Sequence, residues 1–126
     1  MGLTSAITQQ EMAQYQATAR QRATKRRQAL LARRLAARQT AEQAAALLKR
    51  DYGASRVLLF GSLSRDEPFS LHSDIDLAVW GLDERIYYRV VSRLLDLDPS
   101  VSIDLLRAET LSADLLCVIE TTGLSL

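Results

Sequence analysis

Apolar positions are sparse at the start of the chain and then recur at helical spacing. Residues 8 to 28 offer little beyond Met12, Tyr15 and scattered alanines, whereas Leu30, Leu31, Leu35 and then Ala41, Ala44, Ala45 and Leu48 repeat every three or four residues. No Gly or Pro interrupts the chain between Gly2 and Gly53, and Ala, Gln, Arg and Leu, mostly strong helix formers, dominate it. The pattern predicts one long helix, or two in series, whose second half docks on a core while its first half projects. Gly53, following Lys49 and Arg50, reads as the stop. Beyond it the period changes. RVLLF (56–60), IDLAVW (75–80) and VSIDLL (101–106) are short apolar runs of strand character. Between the last two, Ile86, Val90, Leu94 and Leu97 lie at helical spacing ahead of Pro99, and a final helix is predicted from about Thr110 to Thr121. The order helix, strand, strand, helix, strand, helix implies an α/β (α+β) fold, a small mixed β-sheet with flanking helices preceded by a long N-terminal helix.

Length and charge divide this picture in two. The chain has 126 residues, 48% of them apolar, which suffices for one modest core. Its net charge of +1 conceals an asymmetry: residues 1 to 50 carry ten Lys or Arg against Glu11 and Glu42, and residues 51 to 126 carry six bases against thirteen acids. A basic helical extension over residues 1–40 joined to an acidic domain over 41–126 is the organisation this predicts. The single cysteine, Cys117, excludes an intrachain disulfide and a cysteine-built zinc site, and on the last helix it reads as a small core residue. MGLTSAITQQ lacks the basic and apolar regions of a secretion signal, and Ala6 breaks a myristoylation pattern, so a soluble protein of the cytoplasm is expected.

The candidate chemistry lies in LFGSLSRDEPFSLHSDIDLAV, residues 59 to 79. On a strand, Ile75, Leu77 and Val79 point to one face and Asp74 and Asp76 to the other, so two carboxylates share a surface from which the apolar set is absent. Paired carboxylates suit a hard cation such as magnesium, Mg2+, which is held by one or two carboxylates together with phosphate oxygens. Asp104 occupies the equivalent face of the third strand. If that strand pairs beside the second, Asp104 approaches the other two acids as a metal ligand or a proton acceptor. Gly61, without a Cβ, lets a ligand approach the backbone, and Ser62 opens a short helical turn whose N–H groups and hydroxyl favour phosphate. Ser64 and Arg65, in the next turn, can assist.

Alone, Asp-Ile-Asp is a weak signal, since it also describes a solvated strand end. Leu95-Asp96-Leu97-Asp98 repeats the spacing but ends an amphipathic helix and follows no Gly-Ser pair. His72, the sole histidine, reads as a loop residue. Trp80, Tyr87 and Tyr88 can stack on a base but more simply pack in the core or against a partner.

Gly-Ser, a spacer of eleven residues, Asp-x-Asp and a third acid on a later strand together resemble the nucleotidyltransferase superfamily related to DNA polymerase beta. The resemblance is greatest to the minimal nucleotidyltransferases, covers about residues 41 to 126, and implies the nucleotidyltransferase fold. It implies an antitoxin that transfers AMP from ATP to a hydroxyl, reported as tyrosine for some members, of a partner HEPN-domain ribonuclease toxin. By the same resemblance Asp74, Asp76 and Asp104 are catalytic and bind metal, and Gly61, Ser62, Ser64 and Arg65 bind the nucleotide. Asp66 departs from the pattern, standing where many small members have Gly. Two other readings stay open: a non-catalytic antitoxin that neutralises its partner by binding, and a nucleic-acid-binding adaptor that uses the basic helix. For the adaptor the acidic domain is a poor neighbour, so nucleic acid is not the expected partner. Homo- or hetero-oligomers are compatible with all three.

Overall fold

A computed structural model describes residues 8–64 and 74–126 of the chain. Helix α1 (Gln9–Tyr52) is unbroken over 44 residues. The Thr8 hydroxyl caps it by accepting from the Glu11 N–H at 3.0 Å, and Gly53 ends it in the left-handed region at φ 72°, its N–H donating to the Leu48 carbonyl. The buried residues of α1 lie between Ala37 and Leu48. Ala37, Thr40, Ala41, Ala44, Ala45, Leu47 and Leu48 are buried, whereas residues 9–32 are exposed throughout. Leu30, Leu31 and Leu35, read from the sequence as the start of the docking stripe, are 36%, 60% and 62% exposed. Small alanines, which let the helix approach the sheet, mark the docking segment instead.

Strands β1 (Arg56–Phe60), β2 (Ile75–Trp80), β3 (Ile103–Arg107) and β4 (Leu124–Ser125) form one mixed sheet in the order β3-β2-β1-β4. β1 runs antiparallel to β2 and β4, and β2 parallel to β3. A parallel neighbour requires a crossover, and α2 (Tyr87–Leu95) supplies it. One face of the sheet, with Val57, Leu59, Ile75, Leu77, Val79, Ile103 and Leu105, packs in a single core with α1 and with Val90 and Leu94 of α2. On the other face Leu58, Ala78 and Ile119 of α3 (Ala113–Thr122) form a smaller cluster that Phe60, Trp80 and Leu111 flank. Leu48, Leu59, Leu77 and Leu105 are at most 2% exposed, and each such burial stabilises the fold by about 1.5–3 kcal/mol.

Several boundaries differ from the sequence reading for local reasons. β3 begins two residues later than VSIDLL suggests. The Asp98 carboxylate accepts from the Ser100 N–H at 3.0 Å and its hydroxyl at 2.6 Å, holding a turn that runs up to the strand. α2 is preceded by a 3-10 turn (Glu84–Ile86) capped by Asp83, and it ends at Leu95, ahead of Pro99. α3 starts at Ala113, where the Ser112 hydroxyl accepts from the Leu115 N–H, and Thr110 falls in a separate 3-10 turn. Cys117 is exposed, not a core residue, because Ile119 alone on α3 is buried. β4 is too short to leave a periodic signal. No helix among the described residues is long and apolar enough to cross a membrane.

Candidate active site

Three elements bring the candidate residues to one end of the sheet. The antiparallel register pairs Phe60 with Asp76, so the turn that leaves β1 at Gly61 lies beside the start of β2. The parallel register pairs Asp76 with Asp104 on neighbouring strands, and the Ile75 N–H donates to the Ser102 carbonyl at 2.9 Å to begin that ladder. Neighbouring strands lie about 4.8 Å apart, so the two carboxylates face a common space. Asp74, exposed, stands immediately before β2.

The electrostatics of Asp76 record this clustering. Its carboxyl is pushed up from 3.8 to about 6, first by burial and then by the charges of Asp104 and Asp74. Three carboxylates are thus close enough for mutual repulsion, a disposition that a bound cation relieves. Among the described residues no group of three or more His, Cys, Asp or Glu forms a ready metal cage. The donor set nonetheless fits magnesium, which takes one or two carboxylates and completes its shell with substrate phosphates and water.

Gly61 adopts φ 77°, in the left-handed region that favours glycine. A Cβ built there would collide with Asp76 Oδ2 and lie 3.2 Å from Asp76 Cγ. Absence of a side chain therefore lets the Gly-Ser turn and the acid-bearing strand share one site. Ser62–Ser64 form a 3-10 turn whose middle residue, Leu63, is buried in the core. Ser62 is half-buried. The Ser64 hydroxyl donates to the Gly61 carbonyl at 2.7 Å, so it braces the turn and retains only acceptor capacity for other contacts. Arg65, with Asp66 and His72, lies outside the described residues.

Two residues that sequence reasoning had assigned to the basic extension reach this end of the molecule. Arg34 Nη2 donates to the Leu63 carbonyl at 3.3 Å, and Arg33 Nη2 to the Ser100 carbonyl at 3.2 Å. Consecutive arginines on α1 thus tie down the Gly-Ser turn and the loop that leads into the Asp104 strand. Nothing in their spacing set them apart from the other bases of the helix. The aromatic candidates divide. Trp80 lies at the opposite end of β2 under Arg56, whose guanidinium sits 4.6 Å from its ring centroid. Tyr87 donates to the Leu105 carbonyl at 2.5 Å, with Tyr88 edge-on to it and 84% exposed.

No family model matches the sequence, and no curated protein matches it either. Solved structures do. A chain described as a proposed minimal nucleotidyltransferase is 29% identical, with a TM-score of 0.57 over 79% of this chain and 94% of that one. A toxin-antitoxin structure with AMP-PNP is 27% identical, with a TM-score of 0.56 over 67% of this chain and 70% of that one. A chain of the complex between the tri-AMPylated Shewanella oneidensis HEPN toxin and MNT antitoxin is 22% identical, with a TM-score of 0.53 over 71% and 70%. The mixed sheet with its flanking helices is therefore a known architecture: the chain has the nucleotidyltransferase fold in the compact form seen in minimal nucleotidyltransferases.

Proposed function

We propose that this chain is a magnesium-dependent nucleotidyltransferase of the cytoplasm that moves AMP from ATP to a hydroxyl, that of a tyrosine, on a partner HEPN toxin, and so acts as an antitoxin. The observation that carries this reading is the register that sets Asp76 opposite Asp104 while Gly61 closes against the Asp76 carboxylate. Among similar structures, one toxin-antitoxin complex contains AMP-PNP and another contains an AMPylated HEPN toxin, which supports the donor and the acceptor class. In this reading residues 41–126 are the catalytic domain and residues 1–40 an extension.

Each residue has a task that its position permits. The Gly61 and Ser62 backbone, with the Ser62 hydroxyl, cradles the triphosphate at the start of the turn. Arg65, next in sequence after Ser64, is assigned to the nucleotide by its place in the motif. Asp74 and Asp76 hold magnesium, which when bound neutralises phosphate charge and orients the α-phosphate. Asp104, exposed at the mouth, completes the metal site or takes the proton of the attacking hydroxyl. That oxygen bonds to the α-phosphorus, the bond from phosphorus to the bridging oxygen breaks, and pyrophosphate leaves.

Calorimetry of ATP binding with and without magnesium tests the site. Three clustered acids repel a bare triphosphate, so affinity should require the metal. Equal affinity in EDTA rules out the proposed arrangement.

A further inference from the structure

The N-terminal half of α1 is exposed, and it concentrates charge of one sign. From Met12 to Ala41 there is no acidic residue, and Arg20, Arg22, Lys25, Arg26, Arg27, Arg33, Arg34 and Arg38 all fall in that stretch. Arg33 and Arg34 reach back to loop carbonyls of the domain, whereas Arg20, Arg22, Lys25, Arg26 and Arg27 lie in the exposed part. A helix stabilised by its own side chains pairs acids with bases four residues apart. Here Arg22 and Arg26 stand at that spacing with like charge, so the helix gains stability from an external anion.

Geometry and composition specify the anion further. At 100° per residue, Arg22 and Arg26 stack on one side of the helix, and Arg20 and Arg27 on another roughly 130° round. Between the two rows lie Ala19 and Ala23, small enough to let the helix backbone approach a surface closely. From Gln16 to Ala29 no apolar side chain exceeds alanine in size, so the segment lacks the aromatic and aliphatic anchors of a protein interface. Two cationic rows flanking a smooth face match a groove walled by phosphates. The major groove of B-form DNA, about 12 Å wide, admits a helix, whereas that of A-form RNA is too narrow.

The acidic domain is no obstacle to this contact. α1 is a single unbroken helix whose Arg33 already bonds to the domain, so Arg27 lies about 9 Å along the axis from that contact and Arg20 about 20 Å. Both exceed the physiological screening length of about 8 Å. We propose that the exposed half of α1 binds duplex DNA through Arg20, Arg22, Arg26 and Arg27, with the helix lying in the major groove and the two rows on its phosphate walls. This contact is independent of nucleotide transfer.

The test is anisotropy titration of the full-length protein against a labelled mixed-sequence DNA duplex of about two turns, from about 50 to 200 mM salt, with duplex RNA of the same sequence in parallel. Four contacts give a slope of log affinity on log salt of about −3.6. Replacing these four arginines by Gln, a good helix former, should cut DNA affinity at least tenfold and flatten that slope, with the thermal transition unchanged. The proposal is overturned by absent binding at the lowest salt, by undiminished binding of the variant, or by duplex RNA binding as tightly as DNA. It is equally overturned if polyglutamate of matched charge displaces the duplex as well as unlabelled DNA does, the behaviour of a surface made for an acidic protein.

Discussion

Gly61 and Asp76 occupy one space: the carboxylate of the acid fills the position where any Cβ on the glycine would stand. Gly61→Ala therefore acts twice. It forces a side chain into the left-handed region, at a cost of about 1–2 kcal/mol, and it pushes the Asp76 carboxylate out of the position it holds beside the turn. The variant should fold with a lowered melting temperature and lose at least tenfold in magnesium-dependent ATP affinity. Unchanged affinity would separate the glycine from the site.

Asp76 in turn is costly to the fold that carries it. Its carboxyl titrates near 6 in the folded chain against 3.8 for an unperturbed aspartate, so the folded state holds the proton more tightly. The stabilising effect of that proton is complete below about pH 4 and is lost as pH rises through 6. Metal-free protein should thus lose stability between pH 4 and 6 from this group, and Asp76→Asn should remove that decline. The expected result in thermal melts with EDTA is a variant more stable than the parent at pH 8 but not at pH 4. Parallel pH profiles for the two would contradict the account.

The boundary between arm and domain is tested by contrasting two changes on α1. Among the described residues, deleting 1–28 removes exposed positions, so the cooperative thermal transition and ATP binding should survive. Arg34→Gln removes the bond to the Leu63 carbonyl that steadies the Gly-Ser turn, and ATP affinity should fall several-fold with little loss of melting temperature. A truncated protein that no longer melts cooperatively would make the arm part of the core.

How much of this was legible in the sequence follows from what each signal measures. Strand periodicity placed Asp74 and Asp76 away from the apolar face, and the register of β2 with β3 bears out the expected approach of Asp104. The long helix and its glycine stop were equally plain, because an interval free of Gly and Pro with a left-handed cap leaves few alternatives. Leu30, Leu31 and Leu35 misled because hydrophobicity reports what can be buried, whereas the close approach of α1 to the sheet selects alanine. Cys117 misled in the same way, since α3 covers a small cluster with one residue and leaves the remainder outside. Arg33 and Arg34 could not be distinguished, because their role lies in bonds to carbonyls distant in sequence.

The central claim, that the gathered carboxylates exist to transfer AMP, is tested most directly by Asp76→Asn incubated with labelled ATP, magnesium and the HEPN partner. Asparagine keeps the size of the side chain and removes the charge that holds metal. The account predicts that the parent labels the partner covalently, that the variant binds the partner as tightly without labelling it, and that neutralisation of the partner disappears with the label. A variant that neutralises the partner as well as the parent does, with no label transferred, would contradict it and assign the antitoxin action to binding alone.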